Sequence, residues 1–103
     1  MPSVNHDRPL RFASKIHRAL SEVLIGYVIE QTSCQHLTIV HVDVSPDCRH
    51  ARITLSALTE AICLKKAVAH LNDKSGYIVS LMRKKIHARY MPKLIFQSVH
   101  DIP

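Results

Sequence analysis

Val42-Asp43-Val44-Ser45-Pro46-Asp47-Cys48-Arg49-His50-Ala51-Arg52-Ile53-Thr54-Leu55-Ser56 reads as a strand, a tight turn and a second strand. Val40, Val42 and Val44 alternate with polar or mixed positions before the turn. Ala51, Ile53 and Leu55 alternate with Arg52, Thr54 and Ser56 after it. Period two is the signature of a strand with one face buried. Between the runs, Pro46 pre-sets φ for the first central position of a turn, and Ser45 and Asp47 can bond their own backbone. The alternation predicts strands over Leu37–Ser45 and Arg49–Ala57.

Working outward, the chain before the hairpin is helical in period. Ile16, Leu20, Val23, Leu24, Tyr27 and Val28 share one face, and Lys15, His17, Arg18, Ser21 and Glu22 the other. Asp7 is the expected N-cap, with Pro9 in the first turn, and the pattern fades past Glu30. Gly26 costs this helix roughly 1 kcal/mol relative to Ala and marks close packing against the sheet. After the hairpin, Thr59 is the expected cap of a second helix with a buried stripe of Ala61, Leu64, Ala67, Val68 and Leu71. Lys65, Lys66 and His70 face water on it.

Asn72-Asp73-Lys74-Ser75-Gly76 interrupts that period, Gly76 supplying permissive dihedrals. It resumes with Ile78, Leu81, Met82 and Ile86, opposite a basic side of Arg83, Lys84 and His87. Pro92 forces Met91 out of helical dihedrals and stops the third helix. Lys93–Val99 is a last strand with Leu94 and Phe96 on one face, followed by a short tail. The expected fold is α+β, in the order α-β-β-α-α-β: a three-stranded sheet covered on one face by helices, with a helix-break-helix. That is the order of a type II KH-like domain.

At 103 residues, the chain is expected to be a single domain, 1–103. Its composition, 47% hydrophobic and 21% charged, is that of a globular protein. No apolar run is long enough to span a bilayer, and the first residues lack the apolar segment of a signal peptide. Cys34, Cys48 and Cys63 are odd in number and form no CxxC pair, which fits a reducing, cytoplasmic setting. The net charge of +6 is unevenly placed. Residues 1–64 sum to zero, whereas 65–93 carry Lys65, Lys66, Lys74, Arg83, Lys84, Lys85, Arg89 and Lys93 against Asp73 alone. One segment therefore holds the whole excess, which points to a polyanionic partner, nucleic acid or an anionic membrane. The apolar side of the third helix is needed for the core of so small a domain, which disfavours the membrane.

The hairpin wording Val-Ser-Pro-Asp-Cys-Arg-His-Ala-Arg resembles the signature of the ribosome-binding factor A family, bacterial assembly factors of the small ribosomal subunit. Two further anchors agree in order and spacing: the opening helix from Arg11 through Ile16 to Leu20, and Arg89-Tyr90-Met91-Pro92-Lys93-Leu94-Ile95-Phe96, similar to the family's Arg-x-x-Pro-x-Leu-x-Phe. The chain departs from the family at several places. Cys48 stands for the usual Leu, Gln31–Gln35 for Asp-Pro-Arg, Lys74-Ser75-Gly76 for Ala-x-Gly, and the Asp expected at Val99 comes at Asp101.

The resemblance implies a non-enzymatic factor, monomeric when free. Such a factor binds free or immature small subunits through their rRNA and aids late maturation and 5′-end processing. The candidate RNA contacts are Lys74, Ser75 and Gly76 at the break, Arg83, Lys84, Lys85 and Arg89 after it, and Arg49 and Arg52 beside the turn. With a single glycine at the break, a GXXG-type clamp on four nucleotides is not expected, and few aromatics leave little base stacking. At the turn, a local pair between Asp47 and the arginines competes with RNA contact.

Eight histidines invite other chemistry, but no HExxH or Cys/His zinc spacing is present. Cys48 and His50 lack an orienting third group, and there is no P-loop. No catalytic residue, metal or cofactor is expected. Two alternatives remain: a general KH-like binder of single-stranded RNA, and a small nuclease using His41 and His50.

Overall fold

The hairpin forms as its alternation requires. β1 (Thr38–Val44) pairs antiparallel with β2 (His50–Ser56), each one residue shorter at either end than the pattern predicts. β3 (Lys93–Ser98) lies parallel on the other side of β2, so the sheet order is β1-β2-β3. A parallel neighbour demands a long crossover. α2 (Ala61–Asp73) and α3 (Ser75–Met82) supply it, and α1 (Ser3–Gln31) precedes the sheet. The computed structural model describes the backbone of residues 3–31, 37–57, 61–86 and 90–101, and the side chains of 10–24, 37–57, 63–86 and 90–101.

All three helices cover one face of the sheet, α1 over β1, α2 over β3, and α3 against both β3 and α1. The core between the layers is aliphatic. Ile16, Leu20, Val23 and Leu24 of α1, Leu64 and Leu71 of α2, and Ile78 and Met82 of α3 meet Val42, Val44, Ala51, Ile53, Leu55, Leu94 and Phe96. The architecture is a two-layer α+β domain in the order of a type II KH-like fold.

Six expectations are corrected. Val40 is 52% exposed, not inward. Pairing slips between Ile39 and His41, which leaves Val40 as the extra residue of a β-bulge. The slip exchanges faces, so Leu37 and Ile39 pack on the core in its place. Thr54 lies on the outer face yet is buried, because the Gln97 amide covers it and donates to its hydroxyl at 3.0 Å. Asp7 does not cap α1, which begins at Ser3. Pro9 falls in the second turn, where it has no amide to give to the helical ladder.

The third helix stops at Met82 and does not run on to Tyr90. The Lys85 and Ile86 amides both donate to the Met82 carbonyl, at 2.8 and 2.9 Å, and this tightened turn drops Ile86 into the core. Lastly, the tail is a 3-10 turn, Val99–Asp101, in which the His100 amide donates to the Ser98 hydroxyl oxygen at 3.0 Å. Thr59, Gly26, Tyr27, Val28 and the burial of Ala61 fall outside the described residues or side chains.

One side chain blunts the β3 edge of the sheet. Asn72, near the end of α2, donates to the Phe96 carbonyl at 2.9 Å and accepts from the Phe96 amide at 2.8 Å. It pairs with β3 as a further strand would, blunting an edge that otherwise invites association. Asn72→Ala removes both bonds and is expected to destabilise the fold by about 1–2 kcal/mol, measured by urea denaturation. Asn72→Asp keeps the acceptor and loses the donor, and should fall between the two.

Candidate nucleic-acid interface

The break between the helices is one residue wide. The Lys74 amide ends the α2 ladder on the His70 carbonyl, and the Lys74 carbonyl begins the α3 ladder by accepting from the Ile78 amide, each at 3.0 Å. Lys74 itself has φ −104° and ψ 16°, dihedrals open to any L-residue. Asn72 and Asp73 therefore belong to α2, and Ser75 and Gly76 to α3. No glycine in the described backbone has positive φ, so the break does not need Gly76 for its geometry. A Cβ at Gly76 would meet nothing within 4 Å. Neither its dihedrals nor packing among the described residues asks for glycine there. The Ser75 and Gly76 amides lie in the first turn, where a helix has no acceptors of its own for its N–H groups.

Gly76 opens onto a groove of about 530 Å³ between α3 and the start of β3. Ser75, Gly76, Val79, Ser80 and Arg83 line one wall, and Met91–Leu94 the other. The floor is apolar, from Val79, Met91, Pro92 and Leu94. The rim carries the exposed cations Arg83 and Lys93. The Lys93 amide donates to the Arg49 carbonyl at 2.8 Å, toward β2. By alternation, the Leu94 amide and carbonyl face away from β2, into the groove.

Arg83, Lys84 and Lys85 occupy the turn just past α3, not one helical face, because the helix ends before them. There they sit by the negative end of the helix dipole, which eases the crowding of three cations. Lys85 is tied to Glu22 of α1 at 3.0 Å. Arg83 and Lys84 are exposed and in no ion pair among the described residues. Lys74 is exposed at the break. Arg89 and His87 lie outside the described residues.

The hairpin arginines go elsewhere. The Cys48 amide donates to the Ser45 carbonyl at 2.8 Å, and Cys48 takes the left-handed φ of 59° that lets the loop rejoin β2. The Asp47 carboxylate accepts from the Ser45 hydroxyl at 2.6 Å and from the Arg49 amide at 3.0 Å. Those two bonds hold its pKa below the ordinary carboxylate value. Among the described residues, Asp47 makes no ion pair with either arginine. Arg49 is exposed at the loop, near the start of β3. Arg52 sits on the open face of the sheet between Asp43 and Ile95, on the other side from the groove.

The structure thus gathers Ser75, Gly76 and Arg83 into one groove, with Lys74 and Lys84 beside it. Lys93 belongs to it too. Its place in the basic segment was the available sign, but only the parallel pairing of β3 brings it opposite Arg83. Among the described residues, no group of three or more His, Cys, Asp or Glu is placed to hold a metal ion. No described helix is long and apolar enough to cross a membrane.

Fold and groove together define a KH-like domain with a basic cleft at its helix break. More narrowly, the chain belongs to the ribosome-binding factor A family, whose model matches residues 8–101. It is 37% identical to ribosome-binding factor A of Ralstonia nicotianae over 89 residues, 86% of this chain and 70% of that protein. In fold it is similar to the crystal structure of ribosome-binding factor A from Thermus thermophilus. The TM-score is 0.72 at 21% identity, over 89% of this chain and 97% of that one. A homology model of the Thermus thermophilus factor, fitted into a cryo-EM map of its complex with the 30S subunit, gives a TM-score of 0.72 at 22% identity over 88% of this chain and 94% of that one.

Proposed function

We propose that this chain, a single domain over 1–103, is a non-enzymatic assembly factor of the small ribosomal subunit. It acts in the cytoplasm, is monomeric when free, and needs no cofactor. It binds the subunit through rRNA. The groove at Gly76 receives the RNA backbone, Ser75, Arg83 and Lys93 surround it, and Lys74, Lys84 and Lys85 extend the contact along the phosphates. Arg49 belongs to the same surface and Arg89, on its place in the sequence, is a further contact, whereas Arg52 on the open sheet face is a secondary one. Bound there, the protein aids late maturation of the subunit, including 5′-end processing of its rRNA.

The observation that carries the site is Gly76, an exposed helical glycine that no contact among the described residues requires, at the mouth of a groove rimmed by cations. Glycine in a helix costs stability, and its remaining value is close approach by a ligand. The subunit itself is supported by family membership and by the 30S complex of the Thermus thermophilus relative. Depletion in the source cell tests the role. Small-subunit rRNA with unprocessed 5′ ends, mapped by primer extension, is expected to accumulate and to disappear when the gene is restored. Mature 5′ ends and a normal yield of small subunits under depletion would refute the maturation role.

A further inference from the structure

The neutral sum of residues 1–64 conceals a second basic surface. On α1, Arg11, Lys15 and Arg18 are all exposed at positions i, i+4 and i+7. They run down the side of the helix opposite the buried Ile16, Leu20 and Val23, over about 10 Å of axis. Of the six acids in that count, three have described side chains. Asp47 is held within the hairpin turn, and Asp43 lies across from Arg52 on the far face of the sheet. Glu22, next along the same stripe, is taken by Lys85 at 3.0 Å. Among the described residues, no carboxylate pairs with Arg11, Lys15 or Arg18.

The Glu22–Lys85 contact also fixes where the stripe leads. It joins the end of the line on α1 to the basic turn after α3, so the cations continue from Arg11 to Arg83 across two elements. We infer that the α1 stripe is a second line of RNA-phosphate contacts, continuous with the turn at Arg83–Lys85, so that the RNA-binding surface spans α1 as well as the groove. The inference rests on the RNA-binding reading above. An anionic membrane fits less well, because the described apolar side chains of α1 other than Leu10 are already spent on the core.

The test is a titration of labelled protein against purified small ribosomal subunits at several KCl concentrations. Arg11→Gln, Lys15→Gln and Arg18→Gln are combined in one variant, and Arg11→Lys with Arg18→Lys in another. Each phosphate contact contributes about 0.7–0.9 to the slope of log K against log salt. The glutamine variant should lose about 2–3 from the slope and bind roughly tenfold or more weakly, while the lysine variant keeps the wild-type slope. Its melting temperature should match the wild type, since none of the three side chains is buried. Wild-type slope and affinity in the glutamine variant overturn the inference, as does weakened binding with an unchanged slope. Failure of the wild-type protein itself to bind overturns the RNA-binding reading instead.

Discussion

Arg83→Gln, Lys84→Gln and Lys93→Gln, combined, weaken binding to small ribosomal subunits by roughly 10- to 100-fold near 0.1 M salt and lower the salt slope by about 2–3. The three side chains are exposed and in no ion pair among the described residues, so neutralising them costs the fold little. They stand on different elements. Arg83 caps the C-terminal end of α3, Lys84 follows it in the turn, and Lys93 opens β3 on the facing wall of the groove. Lys85 is left in place because its bond to Glu22 joins α1 to that turn, and its loss would confuse binding with packing. Thermal melting checks the fold, and fluorescence anisotropy against the subunit reads the affinity. A triple variant with the wild-type slope would show that the cations of this turn and rim face only water.

Gly76→Leu is the complementary experiment, because stability and binding are expected to move in opposite directions. A glycine at an exposed helical position costs about 1 kcal/mol relative to alanine, and a side chain here meets no neighbour. Gly76→Ala and Gly76→Leu should therefore fold as well as the wild type or better. The isobutyl group of the leucine, however, fills the mouth of the groove where Ser75, Arg83 and Lys93 converge. RNA can then no longer approach the first-turn amides, and affinity for small subunits should fall roughly tenfold, with Gly76→Ala between. Higher stability with lower affinity cannot arise from misfolding. Unchanged affinity in Gly76→Leu would remove the groove from the contact surface.

Much of the fold was legible because two periods were clean. Ala51, Ile53 and Leu55 could sit on only one face of a strand, and Ile16, Leu20, Val23 and Leu24 on only one face of a helix. The phase of β1 was harder. Leu37 and Ile39 run out of step with Val42 and Val44, and Val40 is apolar in either phase, so alternation alone does not reveal the bulge. The end of α3 was hidden for a similar reason. Ile86 keeps helical spacing from Met82, yet reaches the core through a tightened turn.

Of the proposed site, charge asymmetry pointed to the segment that lines the groove, and Gly76 was visible as the lone glycine of the break. Its meaning was not. Sequence reads a glycine as backbone freedom, while here the dihedrals are ordinary and the space outside is what counts. Lys93 faces Arg83 only because β3 is parallel to β2, and Asn72 reads as a helix breaker although it serves as the partner of Phe96. The cations of α1 vanished in a sum, since charge totals ignore which acids are already engaged.

Sedimentation of the tagged protein with cell lysate on a sucrose gradient tests the central claim most directly. At low and moderate salt, the protein should travel with free small subunits and be absent from assembled ribosomes, and the Arg83, Lys84 and Lys93 variant should shift toward the top. Protein that stays at the top of the gradient at both salt concentrations, or that follows assembled ribosomes alone, would contradict the account.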